Sequence, residues 1–280
     1  MIADVLRHAA AQLDTVSATA RLDAEILLAH ALGIERSALL LDPARYAVPD
    51  TFATLIARRL THEPVAYIVG YRDFWTVRIG VGPGVLVPRA DSEVLLELAV
   101  QHFAAAVPRR ILDLGTGPGT LLLAALDQWP EATGIGVDAS EEALAYSRRN
   151  ADALGLADRA EWRCGDWAAG IAGPFDLILC NPPYIGAGEV LMPEVAQHEP
   201  AAALFAGEDG LADYRRILPQ LAPLLAPGGI ALVEIGWQQA TSVSALAEAV
   251  GLGASVHRDL GDRDRAVSLR AIPTNRLDLG

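Results

Sequence analysis

Two short stretches of this 280-residue chain combine residue types that can do chemistry. One is "ILDLGTGPGT", residues 111–120, with glycines at 115, 117 and 119 and a carboxylate, Asp113, just ahead of them. The other is "DLILCNPPYIG", residues 176–186, in which four apolar residues (177–180) run into Asn181, two prolines and Tyr184. A diproline cannot continue a strand ladder, because neither residue has an N–H to give. It does fix the backbone, so Asn181, Pro182, Pro183 and Tyr184 form a corner that keeps its shape before anything binds. The Asn181 side chain offers one acceptor and two donors, and the Pro182 carbonyl is a second acceptor. Two fixed acceptors suit a planar –NH₂ group, and the Tyr184 ring offers a face to cover it. A corner of this kind suits chemistry on an amide or aniline-like nitrogen, with Asn181, Pro182 and Tyr184 as the catalytic candidates.

The glycine stretch lets the backbone bend sharply and approach a ligand closely. Asp138, about 20 residues further on, closes the next strand pattern, where an acid meets ribose hydroxyls. Two cofactors compete for such a loop. Dinucleotide sites favour G-x-G-x-x-G. This loop reads G-x-G-x-G, with Thr120 where that pattern wants a small residue, and Asp113 sits poorly beside a pyrophosphate. An acid beside the glycines suits S-adenosylmethionine, which carries a sulfonium and an ammonium and no phosphate. In "CGDWAAG", Asp166 can accept from an adenine amine and Trp167 can pack on the base; the competing reading is an ordinary loop with a core tryptophan. The cofactor candidates are therefore Asp113, Gly115, Thr116, Gly117, Pro118, Gly119, Asp138, Asp166 and Trp167.

The surrounding patterns say what positions these stretches. Residues 1–62 show only helical periodicity, as in "RLDAEILLAHAL" and "DTFATLIARRL", and predict a small helical domain. Residues 63–88, "EPVAYIVGYRDFWTVRIGVGPGVLVP", are aromatic and β-branched with alternation, and predict a β-hairpin linker whose Phe74 and Trp75 are hairpin core. From about Ala90 to residue 280, helical and strand patterns alternate: "RILDL", "GIGVD", "AEWRC", "DLILC" and "IALVEI" as strands, "SEVLLELAVQHF", "TLLLAALDQW", "EEALAYSRRNADALGL" and "LADYRRILPQLAPLL" as helices, and two closing strands in "ASVHRDL" and "RAVSLR". This predicts an α/β fold with a parallel sheet between helical layers. "PGG" at 227–229 reads as a turn before the strand.

The bulk composition narrows the function. With 22 basic against 35 acidic residues the net charge is −13, which argues against a nucleic-acid partner. Two cysteines, Cys164 and Cys180, support neither a disulfide framework nor a thiolate metal cluster. No metal is expected, and reduced thiols fit the cytoplasm. Neither a signal peptide nor a membrane span is expected: the first residues are amphipathic, and the most apolar window, 217–237, is broken by prolines and glycines.

In "EPVAYIVGYRDFW", "VLVPRADSE", "LDLGTGPG", "NPPYI", "HEPAAALFAGEDGLADYRRI" and "LVEIGWQQ", in this order, the sequence resembles the HemK/PrmC family of release-factor glutamine methyltransferases. The resemblance implies a seven-stranded, Rossmann-like class I S-adenosylmethionine-dependent methyltransferase domain after an N-terminal helical bundle and a hairpin linker. It implies methyl transfer to the glutamine amide nitrogen (N5) of the Gly-Gly-Gln motif in class I peptide chain release factors, leaving S-adenosylhomocysteine. It also adds Asn181 to the cofactor contacts, places Asn181 to Tyr184 on the substrate glutamine, and sets Leu86 and Arg89 beside the pocket. Pro118, Ala90 and His198 depart from the family pattern, in the places of a Thr or Ser, a Pro and a Phe. Two other functions stay open on the residues: methylation of a flipped base at the same corner, and a scaffold that keeps the fold without the chemistry.

Overall fold

The computed structural model describes residues 2–272. Five helices come first: α1 (Ile2–Leu13), α2 (Ala20–Leu32), α3 (Arg36–Leu41), α4 (Thr51–Leu60) and α5 (Val65–Val69). Strands β1 (Tyr71–Phe74) and β2 (Val77–Gly80) form a two-stranded sheet. Then follow α6 (Glu93–His102), β3 (Arg110–Leu114), α7 (Thr120–Gln128), β4 (Thr133–Asp138), α8 (Glu141–Leu154), β5 (Ala160–Cys164) and β6 (Phe175–Cys180). The last elements are α9 (Pro193–His198), α10 (Ala212–Leu221), β7 (Leu225–Glu234), α11 (Ala240–Ala249), β8 (Leu252–Arg258) and β9 (Asp264–Ala271). By internal contacts the chain forms two units.

The helical unit comprises the chain up to Tyr71 together with Val81–Pro83 and Val190–Glu199. Ile2, Leu6, Ala9 and Leu13 fall on one face of α1 and meet Leu27, Leu28, Leu39, Phe52 and Ile56 in a closed core. Buried Arg59 spans this unit, reaching Asp23 at 2.8 Å and Glu194 at 2.7 Å. His198 donates from Nε2 to the Thr61 carbonyl at 3.2 Å, so its departure from the family pattern adds a polar tie. One feature differs from the sequence reading. "EPVAYIVG" is not extended but forms α5, because Pro64 enters with φ −56° and Gly70 ends the turn at φ +87°, leaving Ala66 to Val69 buried.

The second unit holds a seven-stranded sheet in the order β5-β4-β3-β6-β7-β9-β8. It is parallel except for β9, which runs antiparallel to both β7 and β8. Helical alternation predicted a parallel sheet; β9 follows β8 through a short turn, and a short turn can only reverse the chain. The strand order reverses beside β3, whose neighbours are β4 and β6. Register then decides what meets there: Leu114 lies opposite Val137 on one side and Cys180 on the other. The glycine loop after Leu114, Asp138 and Asn181 therefore emerge together at the carboxyl edge, where ligands bind in sheets of this type. "PGG" is not a turn before β7 but a bulge inside it, with Gly228 at φ +80° and a register shift opposite Phe175 and Leu177. Phe74 is buried, and Trp75 donates from Nε1 to Gln128 at 3.2 Å. Among the described residues no helix is long and apolar enough to cross a membrane.

Candidate active site

The glycine loop is closed by its own main chain. Gly115, Gly117 and Gly119 have φ of +70°, +57° and +87°, the left-handed region that glycine enters without penalty. The N–H groups of Gly115 and Thr116 both reach the Val137 carbonyl, at 2.9 and 3.0 Å. Gly117 donates to Asp138 Oδ2 at 2.8 Å, Gly119 donates to the Thr116 carbonyl at 2.9 Å, and Pro118 has no N–H. Helix α8 holds the carbonyl side: Ser147 donates to Gly117 O at 2.7 Å and Asn150 to Pro118 O at 2.8 Å. Every loop N–H is thus spent inside the protein. A pyrophosphate needs such groups free, so the geometry decides against the dinucleotide reading.

Two carboxylates flank the loop. Asp113 is 1% exposed; its Oδ2 accepts from Thr116 Oγ1 at 2.5 Å and Leu122 N at 3.2 Å, while Oδ1 has no partner. Burial, aided by the nearby Asp138 charge, pushes it up to about 7. Asp138 takes Gly117 N on one oxygen and Ser140 N on the other at 2.9 Å, and burial raises its pKa also. Trp167 is held at φ +52°, unusual for a bulky side chain, and its ring lies so close to Gly115 that a Cβ there would stand 3.1 Å away. Asp166 is exposed and ion-paired with Arg216 at 2.5 Å, so its carboxylate is already engaged.

These groups line one cavity of about 760 Å³. Its wall includes Leu86, Arg89, Asp113, Gly115, Thr116, Gly117, Pro118, Asp138, Asp166, Trp167, Asn181 and Pro183. Gly119, Pro182 and Tyr184 stand outside that wall. The volume lies in the range of small-molecule sites. The chemistry fits S-adenosylmethionine: an orphaned buried carboxylate oxygen suits a cation, Asp138 suits ribose hydroxyls, and an indole closes one side.

The Asn-Pro-Pro-Tyr corner follows the buried end of β6. Asn181 donates from Nδ2 to Ser92 Oγ at 3.0 Å, and among the described residues its Oδ1 takes no hydrogen bond. Glu234 ends β7 nearby with a buried carboxylate. Tyr184 reaches the same carboxylate through its hydroxyl at 3.4 Å, and its carbonyl accepts from Gln239 at 2.9 Å. The chain beyond is pinned by an isolated bridge between Ile185 and Phe205. Ser92, Glu234, Ser147, Asn150 and Arg216 were not singled out from sequence. Only the helix-starting serine in "ADSE" and the acid ending "LVE" hint at two of them.

The strand order, the spent glycine loop and the paired acids define a class I S-adenosylmethionine-dependent methyltransferase. The PrmC N-terminal domain family model matches residues 4–70, and that of the methyltransferase small domain matches 91–202. The chain is 45% identical over 258 residues to the release factor glutamine methyltransferase of Rhodospirillum rubrum, covering 89% of this chain and 78% of that one. It is 44% identical over 276 residues to that of Cereibacter sphaeroides, covering 96% and 98%. A 16S rRNA methyltransferase from T. thermophilus, solved with AdoMet and guanosine, shares the fold at a TM-score of 0.54 and 18% identity, over 72% of this chain and 50% of that one. The chain belongs to the release factor glutamine methyltransferase family.

Proposed function

We propose that this protein transfers a methyl group from S-adenosylmethionine to the side-chain amide nitrogen of the glutamine in the Gly-Gly-Gln motif of class I peptide chain release factors. The supporting observation is that Asn181 lines the cavity beside the glycine loop with its Nδ2 donating to Ser92 and its Oδ1 without a hydrogen bond among the described residues. When bound, the donor supplies a methyl group activated by a sulfonium. Asp113, Gly115, Thr116, Gly117, Pro118, Asp138, Asp166, Trp167 and Asn181 would hold it, and Gly119, outside the wall, would shape the loop that does.

An amide nitrogen is a poor nucleophile, because its lone pair is delocalised into the carbonyl; the ~18–20 kcal/mol rotation barrier measures that delocalisation. Asn181 Oδ1 accepts one N–H of the substrate amide and the Pro182 carbonyl the other. This aligns the nitrogen lone pair at a near-attack distance of roughly 3–3.5 Å. Tyr184 and Pro183 cover the flat amide, and Leu86 and Arg89 flank its approach. The alkylated amide sheds its extra proton to water, so no strong base is required.

Residues 1–62 give the release factor a second grip away from the reacting glutamine, residues 63–88 link, and 89–280 carry the chemistry. The reaction belongs to the cytoplasm, where translation terminates, and needs no nucleic acid. Incubating the protein with S-adenosylmethionine and, in parallel, a release factor, DNA or RNA tests the proposal. Label in the release factor alone is expected; label in DNA or RNA instead overturns it.

A further inference from the structure

The diproline fixes only part of its own corner. A proline ring locks φ and leaves ψ free, and ψ of Pro182 sets where the Pro182 carbonyl points. Neither proline has an N–H, so the middle of the corner cannot be tied through its ring nitrogens. Its shape then depends on how the two ends are held. At the near end Cys180 sits in the sheet, opposite Leu114 on one side and Val233 on the other. At the far end the Tyr184 carbonyl is held by Gln239, which the methyl-transfer scheme above does not use.

Gln239 stands half-buried just ahead of α11, yet its side chain makes no capping bond to that helix. It reaches back toward the corner instead. Oε1 accepts from Gly236 N at 3.0 Å, with the Tyr214 hydroxyl 3.4 Å away. Nε2 donates to the Tyr184 carbonyl at 2.9 Å and to the Gly210 carbonyl at 3.2 Å, which uses both of its protons. Two glycines make room for this grip. Gly210 has φ +69°, and a Cβ there would overlap the Tyr184 carbonyl oxygen and stand 2.7 Å from Gln239 Nε2. A Cβ on Gly236 would stand 2.9 Å from Gln239 Oε1 and 3.4 Å from the Tyr184 ring. The next residue extends the tie: Ile185 donates to the Leu204 carbonyl at 3.0 Å and accepts from Ala206 at 2.9 Å. Gly210, Gly236 and Gln239 all lie in stretches noted from sequence, "GEDG" and "LVEIGWQQ", to which the scheme gives no task.

We propose that Gln239 is a positioning residue for methyl transfer: by gripping the Tyr184 carbonyl it fixes the far end of the Asn-Pro-Pro-Tyr corner, and with it the direction of the Pro182 carbonyl that meets the substrate amide. This rests on the amide-methylation reading. A purely structural role has a different requirement. Closing the turn between β7 and α11 needs only Oε1, the acceptor for Gly236, whereas gripping Tyr184 needs the protons on Nε2. Gln239→Glu separates the two, because a carboxylate keeps the acceptor and has no proton for either carbonyl.

The test uses the full chain and two readouts. With a release factor and saturating S-adenosylmethionine, Gln239→Glu is expected to lower kcat roughly 10- to 100-fold, as a misplaced reacting group does, while donor Kd stays within about 2-fold. In NMR, the backbone amide of Ile185, which shares a peptide plane with the Tyr184 carbonyl, is expected to shift in the same variant. Gly210→Ala, which crowds that carbonyl from the other side, is expected to show the same split, and it decides the question should Gln239→Glu not fold. A kcat within about 2-fold of wild type, an unmoved Ile185 amide, or a donor affinity that falls in step with kcat overturns the proposal. A wild type that leaves the release factor unmethylated instead refutes the substrate reading, and the Ile185 amide alone then decides on Gln239.

Discussion

The two halves of this cleft are built from different materials. The donor half is mostly main chain: Gly115, Thr116 and Gly119 bond to main-chain carbonyls, and the side chains of Asp138, Ser147 and Asn150 complete the loop within a span local in sequence. The amide half is side chain: Asn181 leans on Ser92 and Tyr184 on Glu234, across 89 and 50 residues. A pocket closed by backbone keeps its shape whatever the protonation state, and only its acids titrate. A corner held by side chains has a shape that depends on which atom carries which proton. Substitutions should therefore separate donor binding from turnover.

The largest effect is expected for Asn181→Ala, which removes the acceptor of the amide half. Its kcat should fall roughly 10²- to 10³-fold, the cost of losing one preorganised partner of a transition state, with the folding midpoint nearly unchanged. An unchanged kcat would break the comparison at its centre. Next comes Asp138→Ala in the donor half. Loss of hydrogen bonds to a charged group, worth about 1.5–3 kcal/mol, should weaken donor Kd by roughly 10- to 100-fold in calorimetry and leave kcat at saturation little changed. Equal losses of both would mean that the halves are not separable.

A smaller effect is set by pH. Asp113 must be ionised to meet a cation with its free Oδ1, and its carboxyl stands at about 7. Donor affinity should therefore weaken as pH falls from 8 toward 6, by up to about 10-fold per unit below 7, and Asp113→Asn should flatten that slope. The smallest effect is on stability. Burial raises Asp113 above its ordinary value, so its favourable contribution is full below about pH 4 and is lost as pH rises through 7. The ligand-free Asp113→Asn variant should melt a few degrees above wild type at pH 8, with the gap narrowing toward pH 5.

The two halves also differ in how far the sequence foretells them. The donor half was readable because its parts are local: a strand, a glycine-rich turn and an acid one strand further on. The corner was readable as far as Asn181 to Tyr184, because a diproline leaves the chain few conformations. Ser92 and Glu234 were not, since a serine before a helix reads as a cap and a buried acid ending an apolar strand gives no sign of its partner. Helix α5 was misread as extended because β-branched residues favour strands, while Pro64 and Gly70 decided the backbone there. The paired state of Asp166 turns on Arg216, 50 residues away, and no local pattern announces it.

The most direct test is mass spectrometry of a release factor incubated with the protein and S-adenosylmethionine. One methyl group on the amide nitrogen of the Gly-Gly-Gln glutamine, absent when Asn181→Ala replaces the wild type, is the predicted result. A glutamine left unmodified by the wild type, or a methyl group placed equally well by Asn181→Ala, would contradict it.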